Sequence, residues 1–293
     1  MDSALATVGL PLALAIIMFG LGLDLTWADF RRVSRHPRAV AVALVCQLLL
    51  LPAICFGLVV LFDLPPLLGI GMLLLAASPG GTSANLFSHL FHGDVALNIT
   101  LTAINSVIAL FTLPLIVGLA IGYYDRGEEV SLPLGEVVNV FAIVLVPVAV
   151  GMLVKDRRPG FAARMERPVR IGSAVILAAL VLGILLDQRE NVAGYLADVG
   201  LVAALFCAIS LVVGYVVPRA FGVVDDQAIA CSMEIGVHNA TLAIFVAVEV
   251  LETTEISIPA AVYSLFMFAF AALWGAVLSR RSKPAVVPSQ ELS

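Results

Sequence analysis

The chain has 293 residues, 61% of them hydrophobic and only 13% charged, with a formal net charge of −5 and a mean hydropathy of +1.07. A soluble domain carries about a quarter charged residues, so this composition excludes a soluble globular protein and predicts a chain that lies mostly in lipid. Four cysteines (Cys46, Cys55, Cys207 and Cys231) sit in apolar runs without metal-ligand spacing and read as small packing residues.

The N-terminal "MDSALATVGLPL" has no basic n-region, so a cleaved signal peptide is not expected and the apolar run after it should stay in the protein. A helix needs about 20 apolar residues to cross the hydrocarbon core. Runs of that kind predict nine spans, near 4–24, 38–62, 66–91, 94–122, 132–154, 168–187, 195–221, 226–251 and 257–280. Turn and charge signals separate them, among them "FDLPP", "FHGD", "KDRRPGFAARMERPVR" and "PRAFGVVDD". Lys and Arg set the orientation. With the first connection in the cytoplasm, Arg31, Arg32, Arg35, Arg38, Lys155, Arg157, Arg158, Arg164, Arg167, Arg170, Arg219, Arg280, Arg281 and Lys283 fall inside, fourteen of the sixteen basic residues. Arg126 and Arg189 fall outside. The expected topology is therefore N-terminus out and C-terminus in, with residues 281–293 a polar, disordered cytoplasmic tail.

Two spans are interrupted. The third carries Ser78-Pro79-Gly80-Gly81 in mid-membrane, and the eighth carries Gly236 among Glu234, His238 and Asn239. Pro removes a backbone donor and Gly relaxes the chain, so both helices are expected to break. Non-helical backbone at membrane depth is tolerated only where it is buried in protein or lines a cavity. Paired breaks in matching spans are the best sequence pointer to a transporter binding site. The spans match as two halves, 4–122 and 132–280, only if the first half lacks its first helix.

These residues carry a family resemblance. "IIMFGLGLDLTWADF", "SPGGTSANLFSHLFHGDVALNITLTAINSVIALFTLPL" and "EIGVHNATLA" resemble the bile acid:sodium symporter family, in order and over nearly the whole chain. The resemblance implies an all-α membrane protein of nine transmembrane helices in two inverted repeats, the first helix of the ten-helix version being absent. It further implies two broken helices crossing in a core subdomain beside a panel subdomain. The implied activity is sodium-coupled symport of an organic anion, with two Na⁺ as coupling ions and no transition metal.

Carried over by position, the resemblance assigns one sodium to Asn85, Asn98, Thr102 and Glu234. The family's serine ligand falls on Ala84, which has only its carbonyl to offer, with Ser83 displaced by one. Asn98 and Thr102, four apart, share a helix face. The second sodium is assigned to Gln47, Glu234 and the carbonyls of Ile235 and Val237, and the family's second glutamine is His238 here. A neutral imidazole suits transition metals better than Na⁺. His238 could weaken that site, titrate and couple protons, or be a satisfied interior histidine. A carboxylate at membrane centre costs roughly 2.5–3.5 kcal/mol, which adjacent cations would offset, so Glu234 is the leading site residue.

Thr82, Gly81, Asn239 and Ser264 are the candidate cargo contacts, and Thr82 and Asn239 are equally suited to capping the restarted half-helices. Where relatives place a His-Asn pair in the last span, this chain has Met267 and Phe268, with Tyr263 and Ser264 nearby, so a more apolar cavity is expected on that side. Asn105 and Ser106 read by default as helix-bridging groups. The cargo range is bile-acid-like, pantoate-like or keto acid. Alternatives are proton-coupled or sodium-independent transport of organic anions on the same fold and, further off, arsenite export, for which no cysteine stands in "SPGGTSAN". An intramembrane enzyme would need aspartate-rich metal motifs or paired membrane aspartates, which are not found. The expectation is a non-enzymatic, multi-pass plasma-membrane protein (inner membrane in a Gram-negative source) that binds no nucleic acid and works as a monomer.

Overall fold

The computed structural model describes residues 10–28, 35–124, 134–187 and 192–281. Apart from one isolated β-bridge, the described secondary structure is helical. Helix α1 spans Leu10–Asp24, α2 Pro37–Leu61, α3 Pro66–Ala77, α4 Thr82–Leu90, α5 Val95–Tyr123 and α6 Leu134–Arg157. Helix α7 spans Pro159–Asp187, α8 Val192–Ala220, α9 Asp225–Gly236, α10 Ala240–Val250 and α11 Thr254–Arg281. Residues 4–9 of the first expected span lie outside the described residues, as do Arg31, Arg32, Arg126, Arg189 and Lys283 of the charge count and residues 282–293 of the tail.

Helix ends follow the sequence breaks to within a few residues, with one correction. The connection expected up to residue 167 is already helix: α7 starts at Pro159 and runs through Pro168. Pro159 stands at the first helical position, where its missing N–H costs nothing, and "FAARMER" is made largely of good helix formers.

By length and composition, three described helices can cross a membrane: Pro37–Leu61, Ala193–Ala220 and Thr254–Arg280. Helix α5 is a fourth candidate, bent by 54° between Val95–Ala109 and Phe111–Tyr123. Pro114 accounts for the bend, because its ring crowds the carbonyl four residues back and it donates no hydrogen bond. Helix α2 contains a π turn at Cys46–Leu50, closed by Leu51 N–H donating to Cys46 O. Pro52 follows at once, and widening the helix relieves the same crowding.

Helix α1 packs along α6 and α7, while α3, α5, α8, α9 and α11 form a second group; α10 and α11 join the two. The α1–α6 contact is close enough to require glycine. A Cβ on Gly22 would stand 2.2 Å from Val148 O, and one on Gly151 would stand 2.4 Å from Phe19 O. Gly22→Leu is therefore expected to force these helices apart, lowering stability by about 1–3 kcal/mol; a thermal melt in detergent reads this as an earlier transition. In the second group α3 and α9 are buried on every side near their C-terminal ends, from Leu68 to Ala77 and from Ala228 to Gly236. A helix apolar all round belongs in the interior, and this burial carries both breaks to the centre of the molecule.

Candidate functional site

Each break follows from its residues. Ser78, before Pro79, is extended (φ −71°, ψ 144°), as a residue preceding proline must be. Helix α3 stops there and α4 restarts at Thr82. Helix α9 stops at Gly236, and α10 restarts at Ala240 with Asn239 as its N-cap. The two unwound segments cross as an antiparallel bridge, Gly80 opposite His238. Gly81 N–H donates to Val237 O (2.9 Å), and Asn239 N–H donates to Pro79 O (2.8 Å). Each break thus satisfies backbone groups that the other frees, which dry surroundings demand. Gln47, in the π turn of α2, donates from Nε2 to Ser78 O (3.0 Å), tying a third carbonyl of the crossing.

Glu234 is fully buried, one turn before the second break. Its carboxylate lies so close to Gly80 that a Cβ there would sit 2.3 Å from Cδ and 2.4 Å from both oxygens. Helix α5 clamps the carboxylate from the other side. Thr102 Oγ1 donates to Oε2 at 2.5 Å, and Asn105 Nδ2 donates to Oε1 at 3.3 Å. Asn98, on the same α5 face, donates from Nδ2 to Ala230 O (2.8 Å) and so joins α5 to α9.

Three buried amide oxygens on α4 and α5 have no hydrogen-bond partner: Asn85 Oδ1, Asn98 Oδ1 and Asn105 Oδ1. Unpartnered polar atoms in a dry interior cost about 1–3 kcal/mol each. A hard cation binds amide, hydroxyl and carboxylate oxygens, which are the groups that these asparagines, Thr102 and Glu234 carry. Of the residues assigned to that ion, Thr102 bonds to Glu234, and Asn98 reaches the same helix α9 at Ala230 O. Ala84 is fully buried, whereas Ser83 is only partly buried. Asn105 is the addition. "NITLTAIN" places residues 98, 102 and 105 on one helical stripe, and the helix-bridging role expected of Asn105 is met by its bond from α5 to Glu234 of α9.

The residues assigned to a second ion fare differently. Gln47 Oε1 is buried and unpartnered. Val237 O already accepts from Gly81. The His238 ring packs against Phe206 and Tyr263, with centroids 5.5 and 5.4 Å away, and those two rings are 6.0 Å from each other, so the three form a triangular cluster. Neither of its nitrogens has a hydrogen-bond partner, so the reading of a satisfied interior histidine does not hold.

Of the candidate cargo contacts, Asn239 caps α10, its Oδ1 accepting from Leu242 N–H (3.0 Å), which leaves the amide Nδ2 as a donor. Ser264 is buried and donates to Ala260 O (2.8 Å) within its own helix. Gly81 backbone N–H is taken by Val237 O. Thr82 opens α4, and its side chain lies outside the described residues.

Residues 11–195 match the model of the Sodium Bile acid symporter family. The chain is 26% identical over 253 residues to the uncharacterized sodium-dependent transporter YocS of Bacillus subtilis, covering 86% of this chain and 77% of that one. It is 26% identical over 275 residues to the ileal sodium/bile acid cotransporter of Homo sapiens, covering 92% and 78%. A probable sodium/metabolite cotransporter of Arabidopsis thaliana chloroplasts, BASS1, is 26% identical over 281 residues, covering 92% and 66%. The chain belongs to the sodium bile acid symporter family. It is a multi-pass membrane protein and a sodium-coupled transporter, not an enzyme.

Proposed function

We propose that the chain moves Na⁺ and an organic anion together across the plasma membrane by alternating access. The proposed frame is nine spans in two inverted repeats, 4–122 without its first helix and 132–280, with the N-terminus outside and the C-terminus in the cytoplasm. In this reading α1, α6 and α7 form the panel, and the helices around the crossing form the core. The observation that carries the proposal is Glu234, fully buried against Gly80 of the crossing and hydrogen-bonded to Thr102 and Asn105; in this reading the unpartnered oxygens of Asn85, Asn98 and Asn105 ring it.

The mechanism follows from that ring. Asn85 sits on α4, Asn98, Thr102 and Asn105 on α5, and Glu234 on α9. Na⁺ among them replaces unpartnered oxygens by coordinated ones only while the three helices keep this arrangement. A ligand shifts a conformational equilibrium by its differential affinity for the two states, so sodium favours the state in which this group is assembled. The crossing lies next to it, and Asn239 Nδ2 with the N-terminus of α4 from Thr82 onward presents donors to an anionic headgroup, the Gly81 N–H being taken by Val237 O. Ser264 is a further proposed contact, its hydroxyl now bonded to Ala260 O. The cargo class is bile-acid-like, pantoate-like or keto acid, and one chain is the working unit.

The test is uptake of labelled taurocholate, pantoate and pyruvate into proteoliposomes under an inward Na⁺ gradient, against an equal choline gradient. Accumulation of at least one that needs Na⁺ and collapses with a sodium ionophore is the expected outcome. Uptake that is equal in choline, or that follows a proton gradient instead, would overturn sodium coupling in favour of the proton-coupled or sodium-independent alternative.

A further inference from the structure

We propose that the chain rests with the crossing open toward the end of the molecule where α4 finishes, and that α10 is the element that closes it toward the opposite end. The inference rests on the alternating-access reading above and adds to it a resting direction and a gate. The two half-helices that restart after the breaks run to opposite ends. Helix α4 finishes beside the start of α9, where Asp94 N–H donates to Asp226 O (2.9 Å). Helix α10 finishes beside the start of α11, where Gly71 of α3 comes close to Ile256 O and Pro259.

Their surroundings differ. Every residue of α10 from Ala240 to Ala247 is buried. This helix packs against α1, α6 and α7 as well as against α3 and α11. Helix α4 packs on α5, α9 and α11, and one stripe of it, Ser83, Leu86 and Leu90, is part-exposed or exposed. Gly81, at the crossing itself, is part-exposed too. Unwound backbone at membrane depth does not face lipid; it is buried in protein or lines a water-filled cavity. The exposure at Gly81 therefore marks water, and the stripe from Ser83 to Leu90 leads that water to the α4 end. Phe91 holds α4 away from α1, α6 and α7, because its ring covers Gly275 of α11, where a Cβ would collide with it. The same ring stacks on Phe87 (centroids 6.2 Å apart), which lies 6.1 Å from Phe268 of α11. Opening toward the other end requires α10 to part from α1, α6 and α7.

The test is the rate at which a membrane-impermeant cationic methanethiosulfonate modifies single introduced cysteines in right-side-out and in inverted membrane vesicles, in choline buffer. The four native cysteines are buried, and the wild-type chain supplies the background. Phe221→Cys and Leu61→Cys, at exposed positions on the α4 end and on the opposite end, report which face each vesicle presents. Leu86→Cys is expected to react roughly tenfold faster or more from the Phe221 face, as a minor state populated at about ten per cent or less would give. Ala243→Cys and Ala247→Cys are expected to react slowly from both faces. Leu86→Cys reacting as fast or faster from the Leu61 face, or from neither face, would overturn the open path. Ala243→Cys or Ala247→Cys reacting from the Leu61 face as fast as Leu86→Cys does from the Phe221 face would overturn the gate. Leu90→Cys, at a position already exposed, repeats the directional test if Leu86→Cys does not fold. The rates need no sodium, so this labelling pattern in a chain without sodium-driven uptake would keep the inference and defeat the coupling reading alone.

Discussion

Glu234→Gln is expected to weaken Na⁺ binding by about 10–100-fold, since charge-assisted contacts of this kind contribute about 1.5–3 kcal/mol. The loss should appear as disappearance of sodium-dependent transport with folded protein still recovered. The same variant should be no less stable than wild type when sodium is absent. Wild-type Glu234 then holds a carboxylate at full burial, hydrogen-bonded to Thr102 and Asn105, with no countercharge bonded to it among the described residues. An amide of the same shape can keep contacts to Thr102 and Asn105 without that desolvation cost. Opposite effects on the two measurements, thermal stability in choline and affinity for sodium, distinguish a cation ligand from a structural carboxyl. A Glu234→Gln protein that is less stable in choline and binds sodium normally would contradict the assignment.

Gly80→Ala is the second large effect. The added Cβ would meet Glu234 at 2.3–2.4 Å, with three carboxylate atoms in its way. Neither side can move freely, because Gly80 is held in the antiparallel bridge to His238 and Glu234 is held by Thr102 and Asn105. The expected outcome is a stability loss of about 1–3 kcal/mol, the usual range for overpacking, together with loss of the sodium response. Gly81→Ala is the control. Its Cβ would come no closer than 3.5 Å to His238 O, an ordinary contact, so the variant should melt close to wild type. Equal behaviour of the two variants would show that the Gly80–Glu234 approach has no bearing on the site.

Much of this was legible in the sequence because the informative residues carry strong local signals. Pro79 between Ser78 and a Gly pair can only end a helix, and Gly236 before a polar trio marks the second break. Glu234 was conspicuous because a carboxylate in so apolar a run needs a reason. The antiparallel crossing was a different matter. That Gly80 pairs with His238, and that each break satisfies the other's backbone, depends on how α3 and α9 pack and not on either local sequence.

The same limit explains His238. Its neighbours Phe206 and Tyr263 come from α8 and α11, so the aromatic cluster that the ring joins has no signature near residue 238. Asn105 was readable in principle, on the stripe that holds Asn98 and Thr102, but its bond to Glu234 comes from the approach of α5 to α9. The start of α7 at Pro159 was misread because the charges around it signal topology and helix formation at once.

The most direct measurement is thermal unfolding of the purified wild-type chain as Na⁺ replaces choline at constant ionic strength. A ligand that binds only the folded state stabilises it by RT ln(1 + [L]/Kd), about 2.7 kcal/mol at a hundred times Kd. If Glu234 and the oxygens of Asn85, Asn98, Thr102 and Asn105 hold the coupling ion, the melting temperature rises and saturates with sodium, and Glu234→Gln removes the rise. Identical melting of the wild-type chain in sodium and in choline would contradict a cation site at Glu234.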